Sequence, residues 1–189
     1  DVLIPRTEGF VVYTPAEGSV KVWNKPAQGE AAFAKYAPDG KSAIVLVQKA
    51  GKGMGNKIDI LLLDAQGKTR RLLSRTNITY LQWSPDGKYA TITRVADKKV
   101  EPLDQNLPEL ILLDVASGAS KVLASNVAGI HRWLPDGKHL VIFQIESKGK
   151  GSGQYAGKLM TLNIESGEKK ALAAMAGEQG AFFYFSLFV

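Results

Sequence analysis

A chain of 189 residues is long enough for one domain with a sizeable core, and its composition is that of an ordinary globular protein. The 24 basic and 18 acidic residues leave a net charge of +6, too small an excess to indicate nucleic-acid binding. There is no cysteine, which excludes disulfide bonds, thiol catalysis and cysteine-ligated metal sites. No run of about 18 apolar residues occurs, so no membrane span is predicted.

A short turn motif recurs three times along the chain. Each copy is an aromatic residue, one spacer and then Pro-Asp-Gly-Lys, at residues 36–41, 83–88 and 133–138. Proline pre-sets φ for the first turn position, aspartate can bond nearby backbone N–H groups, and glycine accepts the positive φ that closes the turn. Because apolar, β-prone residues flank every copy, each is predicted to be the tip of a β-hairpin.

A second marker is an apolar run that ends in Asp or Asn and is followed by a glycine. It is clear at residues 60–67, 110–118 and 159–167, and residues 10–18 give a weaker fourth copy. The spacings are 49, 51 and 49 residues between the glycines, which are Gly18, Gly67, Gly118 and Gly167. The turn prolines Pro38, Pro85 and Pro135 are 47 and 50 residues apart. Two independent markers with one period indicate a repeat of about 50 residues.

In chain order, the repeat divides the sequence into five parts. Residues 10–24 supply only the third and fourth strands, c and d, of a unit. Residues 25–73, 74–123 and 124–172 each supply four strands, a to d, and residues 173–189 begin another strand a. Strands b and c are apolar at nearly every position, so they are predicted to be covered on both faces. A four-stranded antiparallel sheet stacked between its own copies is a propeller blade, and we predict a single all-β domain, a β-propeller.

The two ends of the chain leave two interpretations open. In one, the tail, residues 181–189, pairs with residues 10–24 into a composite blade that closes a four-bladed ring. Alternatively the chain is a piece of a longer propeller, which we favour because no Pro-Asp-Gly turn and no strand b follow Tyr184. A piece with open edges is expected to associate, for example as a dimer.

The repeated polar and aromatic side chains have structural explanations that outweigh functional ones. The turn carboxylates and the residues that end strand c are predicted to bond the backbone of their own turns rather than a metal or substrate. The aromatic residues are predicted to pack between blades rather than to stack on a sugar or peptide. The turn carboxylates are Asp39, Asp86 and Asp136. The residues that end strand c are Asp64, Asp114 and Asn163. The repeated aromatic residues are Tyr36, Trp83, Trp133 and Tyr184.

No catalytic, metal or cofactor site is predicted. His131 and His139 are the only histidines, too few for a three-histidine zinc site. No Gly-x-Ser-x-Gly sequence is present, so there is no sign of a serine hydrolase centre.

The combination of Tyr/Trp-x-Pro-Asp-Gly-Lys with an apolar run that ends in Asp and Gly resembles the propeller repeat of TolB-like proteins, over residues 10–185. The resemblance implies a periplasmic, non-catalytic scaffold for protein–protein interaction in the bacterial cell envelope. It also implies an alternative, the gating propeller of a prolyl oligopeptidase-type peptidase whose catalytic domain lies outside this chain. A polysaccharide lyase is a third interpretation. Since the chain begins at Asp1 rather than Met, we expect that a signal peptide or upstream domain was removed; a boundary chosen for expression is an equal alternative.

Departures from the repeat point to one edge of the predicted propeller. The b–c loops, at about residues 48–57, 94–108 and 144–157, and the d–a connectors are expected to be long, varied and mostly basic. Solvated loop charge explains this pattern as well as function does. The functional hypothesis is a docking surface for an acidic protein segment or an anionic glycan. Its candidate residues are Lys49, Lys52, Lys57, Arg75, Arg94, Lys98, Lys148 and Lys150, together with Arg132 and with His131 as a candidate for lining the central channel.

Overall fold

A computed structural model describes residues 2–6, 9–14, 18–24, 30–49, 57–95, 107–148 and 155–175. Within these ranges, all regular structure is β, and the strands form four antiparallel sheets. The N-terminal sheet contains β1 (Val2–Arg6), β2 (Gly9–Thr14) and β3 (Ser19–Asn24). The next sheet is the first with four strands, and we call it the first sheet. It contains β4 (Glu30–Tyr36), β5 (Ala43–Lys49), β6 (Lys57–Leu63) and β7 (Thr69–Thr76). No helix among the described residues is long and apolar enough to cross a membrane.

The remaining two sheets repeat the arrangement of the first. The second sheet contains β8 (Ile78–Trp83), β9 (Tyr89–Val95), β10 (Pro108–Asp114) and β11 (Ser120–Ser125). The third sheet contains β12 (Val127–Trp133), β13 (His139–Lys148), β14 (Tyr155–Asn163) and β15 (Lys169–Met175). In all three sheets the strands pair antiparallel in chain order. This confirms the predicted four-stranded units.

The N-terminal sheet has one strand more than the sequence analysis predicted. β1 pairs with β2 along its whole length, from Val2 opposite Tyr13 to Arg6 opposite Gly9. β1 was not predicted because it precedes the first repeat marker and contains Pro5, which cannot donate a ladder hydrogen bond. The tail at residues 176–189, on which the closure of the ring depends, lies outside the described residues.

The Pro-Asp-Gly turns form as their chemistry predicts. In the second sheet the N–H of Gly87 donates to the Ser84 carbonyl at 3.0 Å, and the N–H of Lys88 donates to Asp86 Oδ1 at 3.1 Å. Gly87 has φ +71°, which an L side chain adopts only with strain. The same pattern holds in the other sheets, where Asp39 and Asp136 accept from the N–H two residues ahead at 2.9 Å. The predicted turn role of the three aspartates is confirmed.

The turns between strands c and d are closed by the residue that ends strand c. Asp64 Oδ1 accepts from the N–H of Lys68 at 2.8 Å, and Asp114 Oδ1 accepts from the N–H of Ser117 at 2.7 Å. Asn163 Oδ1 accepts from the N–H of Ser166 at 3.0 Å. An amide oxygen replaces a carboxylate oxygen here without loss of the bond, as predicted from the exchange of Asp and Asn between copies.

The expectation of long connectors between strands d and a is wrong at two positions. Asn77 alone separates β7 from β8, and Asn126 alone separates β11 from β12. Both have positive φ, +54° and +56°, a region that asparagine tolerates better than most residues. Their carbonyls accept hydrogen bonds from strand b of the next sheet, from the N–H of Val95 at 3.1 Å and from the N–H of Ile145 at 2.8 Å.

The sheets stack face to face, and β10 shows how. Its four leucine and isoleucine residues, 110–113, are all buried, but alternate ones enter different cores. Ile111 and Leu113 join the core between the first and second sheets, with Ile44, Ile60, Leu81 and Ile92. Leu110 and Leu112 join the core between the second and third sheets, with Leu140, Ile142 and Leu162. The predicted coverage of strand c on both faces is confirmed.

The repeated tryptophans connect neighbouring sheets. Trp83 is 6% exposed, and its indole N–H donates to the Lys35 carbonyl of β4 at 3.0 Å. Trp133 is 8% exposed, and its indole N–H donates to Thr91 Oγ1 of β9 at 3.0 Å. Each tryptophan therefore packs against the preceding sheet, as predicted, while Tyr184 lies outside the described residues.

Basic side chains add a second connection between sheets. Arg70 Nη2 donates to the Val115 carbonyl at 2.7 Å, from strand d of the first sheet to the c–d turn of the second. Lys121 Nζ makes the equivalent bond to the Ile164 carbonyl at 2.9 Å, beside a groove of about 230 Å³ between the second and third sheets. These two cations are occupied in holding the stack together.

We predict that Trp83→Ala lowers the free energy of unfolding by about 3–5 kcal/mol, because it leaves a cavity between two sheets and removes the bond to Lys35. Trp83→Phe keeps most of the buried ring and is expected to cost less. Urea unfolding followed by circular dichroism measures both values. Unchanged stability of the alanine variant would refute the packing role.

Candidate functional site

Two regions of the structure contain the predicted site residues. We call the end of the sheets that carries the Pro-Asp-Gly turns the turn edge, and the opposite end the loop edge. At the loop edge of the first sheet, Lys49 and Lys57 are register partners on β5 and β6, and Arg75 lies opposite Ile58 on β7. Arg94 and Lys148 lie near the loop-edge ends of β9 and β13. Three predicted residues, Lys52, Lys98 and Lys150, lie outside the described residues, as does the side chain of Lys148.

Lys49 is held by a buried acid that the sequence analysis did not consider. Its Nζ lies 2.6 Å from Asp59 Oδ2, and the Ser74 hydroxyl donates to Asp59 Oδ1. Asp59 is only 4% exposed. Burial raises the pKa of its carboxyl, but the hydrogen bonds from Lys49 and Ser74 outweigh this and lower the pKa below its usual value. Asp59 is therefore ionised, and the charge of Lys49 is largely neutralised.

The other two sheets also carry an ion pair towards the loop edge. In the second sheet Arg94 Nη2 lies 3.2 Å from Glu109 Oε2, across a directly opposed pair of β9 and β10. In the third sheet Lys158 Nζ lies 2.6 Å from Glu146 Oε1. The described part of the loop edge is therefore less basic than the lysine count suggests.

Lys57 and Arg75 remain as the cations of this edge that are not paired with an acid in the described part of the chain. Lys57 is exposed and forms no ion pair there. Arg75 is half-buried, and its Nη1 donates to the Ser74 carbonyl at 2.9 Å. Because a carbonyl has no net charge, this bond does not neutralise the guanidinium.

The second region lies on the first strands of the sheets and includes His131. The imidazole is 1% exposed and sits between the second and third sheets. Its Nε2 is 2.6 Å from Thr91 Oγ1, and its Nδ1 is 3.1 Å from Thr93 Oγ1. Tyr80 packs against the ring edge-on, with centroids 5.1 Å apart.

The hydrogen bonds around Thr91 assign the tautomer of His131. The Thr91 hydroxyl has one proton and donates it to the Gln82 carbonyl at 3.2 Å. It therefore accepts from His131 Nε2, and the Thr93 hydroxyl donates to Nδ1. The neutral imidazole is thus satisfied at both nitrogens. Burial, and to a lesser extent the charge of Lys35, lowers the pKa of His131 to about 3.

Lys35 and Arg132 lie on the first strands of two different sheets, β4 and β12. Burial, and then the charge of Arg132, lower the pKa of Lys35. Lys35 is half-buried and Arg132 is exposed. Among the described residues, no three His, Asp or Glu side chains are grouped as metal ligands.

Comparisons with known proteins show what this arrangement resembles. No family model matches the sequence, and no curated protein sequence matches it. Among solved structures, TolB from Acinetobacter baumannii is 21% identical with a TM-score of 0.54, over 89% of this chain and 38% of TolB. The chain has the fold of a β-propeller.

Two further propellers agree with this conclusion. The β-propeller domain of the Trilobed protease from Pyrococcus furiosus is 17% identical with a TM-score of 0.53, over 77% of this chain and 43% of that one. An oligogalacturonate lyase from Vibrio parahaemolyticus is 10% identical with a TM-score of 0.64, over 90% of this chain and 48% of that one. This propeller spans less than half the length of each of the three, and identities this low show the fold alone.

We predict that Lys49→Met lowers the free energy of unfolding by about 1–3 kcal/mol, because Asp59 then stays buried without its cation. The loss is smaller than for a fully buried pair, since the Lys49 ammonium keeps some contact with water. The matched control is Lys57→Met, at the residue of β6 that pairs with Lys49. It is expected to change the free energy of unfolding by less than about 0.5 kcal/mol. Equal urea midpoints for the two variants would contradict the role of Asp59.

We predict that His131 makes stability depend on pH. In the unfolded chain a histidine ionises near pH 6.5, whereas folded His131 ionises at about 3. The unfolded state binds more protons between these values, so the contribution of His131 is complete above pH 6.5 and is lost as the pH falls towards 3. The difference in unfolding free energy between the wild type and His131→Gln should therefore shrink between pH 7 and pH 4. Parallel profiles in urea titrations would show that His131 is not held neutral.

Proposed function

We propose that this chain is a non-catalytic propeller scaffold that binds a protein partner of the bacterial cell envelope at its loop edge. The observation that carries the proposal is the contrast between the two edges. At the turn edge the polar side chains of Asp86 and Asp114 bond their own backbone. At the loop edge, each strand b is followed by a segment that belongs to neither strand b nor strand c. These segments are residues 50–56 between β5 and β6, 96–107 between β9 and β10, and 149–154 between β13 and β14. Variable loops on a rigid scaffold are where propellers and similar folds bind their partners.

The charge of the loop edge favours an acidic protein segment as the partner. Lys57 and Arg75 offer positive charge that no described acid neutralises, and Lys52 adds another cation in the sequence between Lys49 and Lys57. Complementary charge of this kind speeds association and selects partners more than it adds affinity. An anionic glycan offers similar charge and is the competing outcome of the test.

The envelope location rests on the likeness to TolB. The repeat resembles that of TolB-like proteins, and TolB is among the solved structures that match this chain over most of its length. This supports an exported protein that acts in the periplasm.

A second candidate function is the gating propeller of a peptidase. It is favoured by the Trilobed protease propeller domain, whose TM-score of 0.53 is nearly that of TolB, 0.54. The fold therefore supports both functions equally. A hydrolase sequence in the same reading frame after Val189 would decide for the peptidase.

The proposal is tested by charge reversal at each edge. The loop-edge variant is Lys52→Glu with Lys57→Glu, and the matched control at the turn edge is Lys41→Glu with Lys138→Glu. Lys49 is left unchanged because its removal also unpairs Asp59. Each protein is cross-linked in envelope extracts from the source bacterium, and captured proteins are quantified by mass spectrometry.

A specific partner is expected to be captured by the wild type and the control, and about tenfold less by the loop-edge variant. Equal capture by both variants would contradict a loop-edge surface. Retention by an anionic polysaccharide column, with no protein captured, would decide for the glycan.

A further inference from the structure

The N-terminal sheet lacks one strand that each of the other sheets has. β2 and β3 match strands c and d, because the turn between them has a positive-φ glycine, Gly18 at +58°, as the c–d turns have at Gly67, Gly118 and Gly167. β1 pairs with β2 and is therefore strand b. In the other sheets strand a pairs with the remaining edge of strand b, but no strand of the described chain pairs with that edge of β1. We call it the free edge of β1.

We propose that residues 178–184 of the same chain pair antiparallel with the free edge of β1 and complete the N-terminal sheet as its strand a. This segment follows β15 and lies outside the described residues. An unpaired strand edge presents a row of N–H and C=O groups to which another strand can add. The proposal concerns how the two ends of the chain meet, and it does not depend on the partner surface at the loop edge.

The register of the complete sheets fixes where the added strand lies. In each of them the repeated aromatic of strand a pairs with one residue near the start of strand b. On its other side, that residue pairs with the last apolar residue of strand c. The three triplets are Tyr36–Ala43–Leu63, Trp83–Ala90–Leu113 and Trp133–Leu140–Leu162.

The N-terminal sheet contains two members of a fourth triplet. Tyr13 lies five residues before its glycine, as the last apolar residue of strand c does in the second and third sheets, and it pairs with Val2. The missing member is the repeated aromatic, whose next copy along the chain is Tyr184. The register of the other sheets therefore places Tyr184 opposite Val2 and Phe182 opposite Ile4.

The length of chain before Tyr184 agrees with this placement. From the glycine of a c–d turn to the next repeated aromatic, the chain runs 18, 16 and 15 residues to the first, second and third sheets. From Gly167 to Tyr184 it runs 17 residues. The absence of a Pro-Asp-Gly turn and a strand b after Tyr184 was the reason to favour a longer propeller. β1 removes that reason, because it supplies strand b from the other end of the chain.

The third sheet has an apolar face on the side where this strand is expected to pack. Leu140 and Ile142 of β13 enter the core shared with the second sheet, so Phe143 and Ile145 lie on the opposite face. These two residues are 7% and 6% exposed, but neither belongs to a core formed by the described residues. The repeated tryptophans pack against the preceding sheet, and Tyr184 in the same position packs against this face.

Pro5 does not prevent the pairing. It lies three residues after Val2 and corresponds to Phe143, three residues after Leu140, where the ladder between β12 and β13 is irregular. Pro5 has no N–H to donate to the added strand, but its place is beyond the regular part of the ladder.

Engineered cysteines test the register, because the chain has no cysteine of its own. Directly opposed residues of an antiparallel pair have Cα atoms about 4.5–5.5 Å apart, within the range of a disulfide. The test variant is Val2→Cys with Tyr184→Cys. The matched control is Val2→Cys with Phe183→Cys, which shifts the pair by one residue and places the second thiol on the other face. Both full-length proteins are oxidised in air, and the products are measured by non-reducing electrophoresis and peptide mass spectrometry.

The Val2–Tyr184 variant is expected to form a disulfide within one chain, and the control is expected to lose it. A disulfide between two chains would contradict closure within one molecule and would assign the free edge to the tail of a second copy. Failure of the test variant to form any disulfide, or equal oxidation of the two variants, would overturn the proposal.

Amide hydrogen exchange supplies a second measurement that needs no cysteine. In β9 the Tyr89 carbonyl accepts from the N–H of Ser84, on the side of strand a. Residues at alternate positions from Tyr89 face the same side, and in the register above Leu3 corresponds to one of them, Thr91. The Leu3 N–H is therefore expected to point to the free edge and to be protected by the added strand.

Phe182→Asp is expected to speed the exchange of Leu3 by about tenfold, the effect of losing one hydrogen bond. Val11 is the internal control, because β2 is paired on both sides and its exchange is expected to stay slow in both proteins. NMR spectra of the full chain report both amides. Fast exchange of Leu3 in the unmodified protein would overturn the proposal.

Discussion

The structure depends on one constraint: each of the two middle strands of the second sheet must be covered on both of its faces. β10 meets it by sending Ile111 and Leu113 into one core and Leu110 and Leu112 into another. No single sheet can bury both sets of side chains, so the sheets must stack. Trp83 and Trp133 then determine how neighbouring sheets approach, because each indole spans the interface and donates a hydrogen bond to the preceding sheet.

Strand pairing also decides what happens to the charged residues. Where strands lie side by side within a sheet, cations and acids on neighbouring strands pair, as Lys49 does with Asp59 and Arg94 with Glu109. The loop edge is therefore partly neutralised. Lys57 and Arg75 are its cations that no acid in the described part of the chain neutralises.

The contact between the second and third sheets also buries a polar side chain, that of His131. A histidine in a sheet-to-sheet contact is tolerated because Thr91 and Thr93 satisfy both ring nitrogens of the neutral form. The equivalent position in the second sheet is Leu81, which needs no such partners. His131 is therefore a packing residue with polar partners of its own in the second sheet.

The sequence by itself determined the hairpin turns, the period and the four-stranded units, because these depend on bonds between residues two to five positions apart. Asp86 and Gly87 bring about their turn wherever it lies in the fold. Asn77 and Asn126 are equally local and could have been recognised by their spacing, whereas β1 carried no repeat marker. Only the tertiary structure decided that Lys49 is neutralised by Asp59 and that His131 is satisfied by Thr91 and Thr93. The physical reason is that strand register and the stacking of separate sheets place these groups together, and neither is encoded in the neighbouring residues.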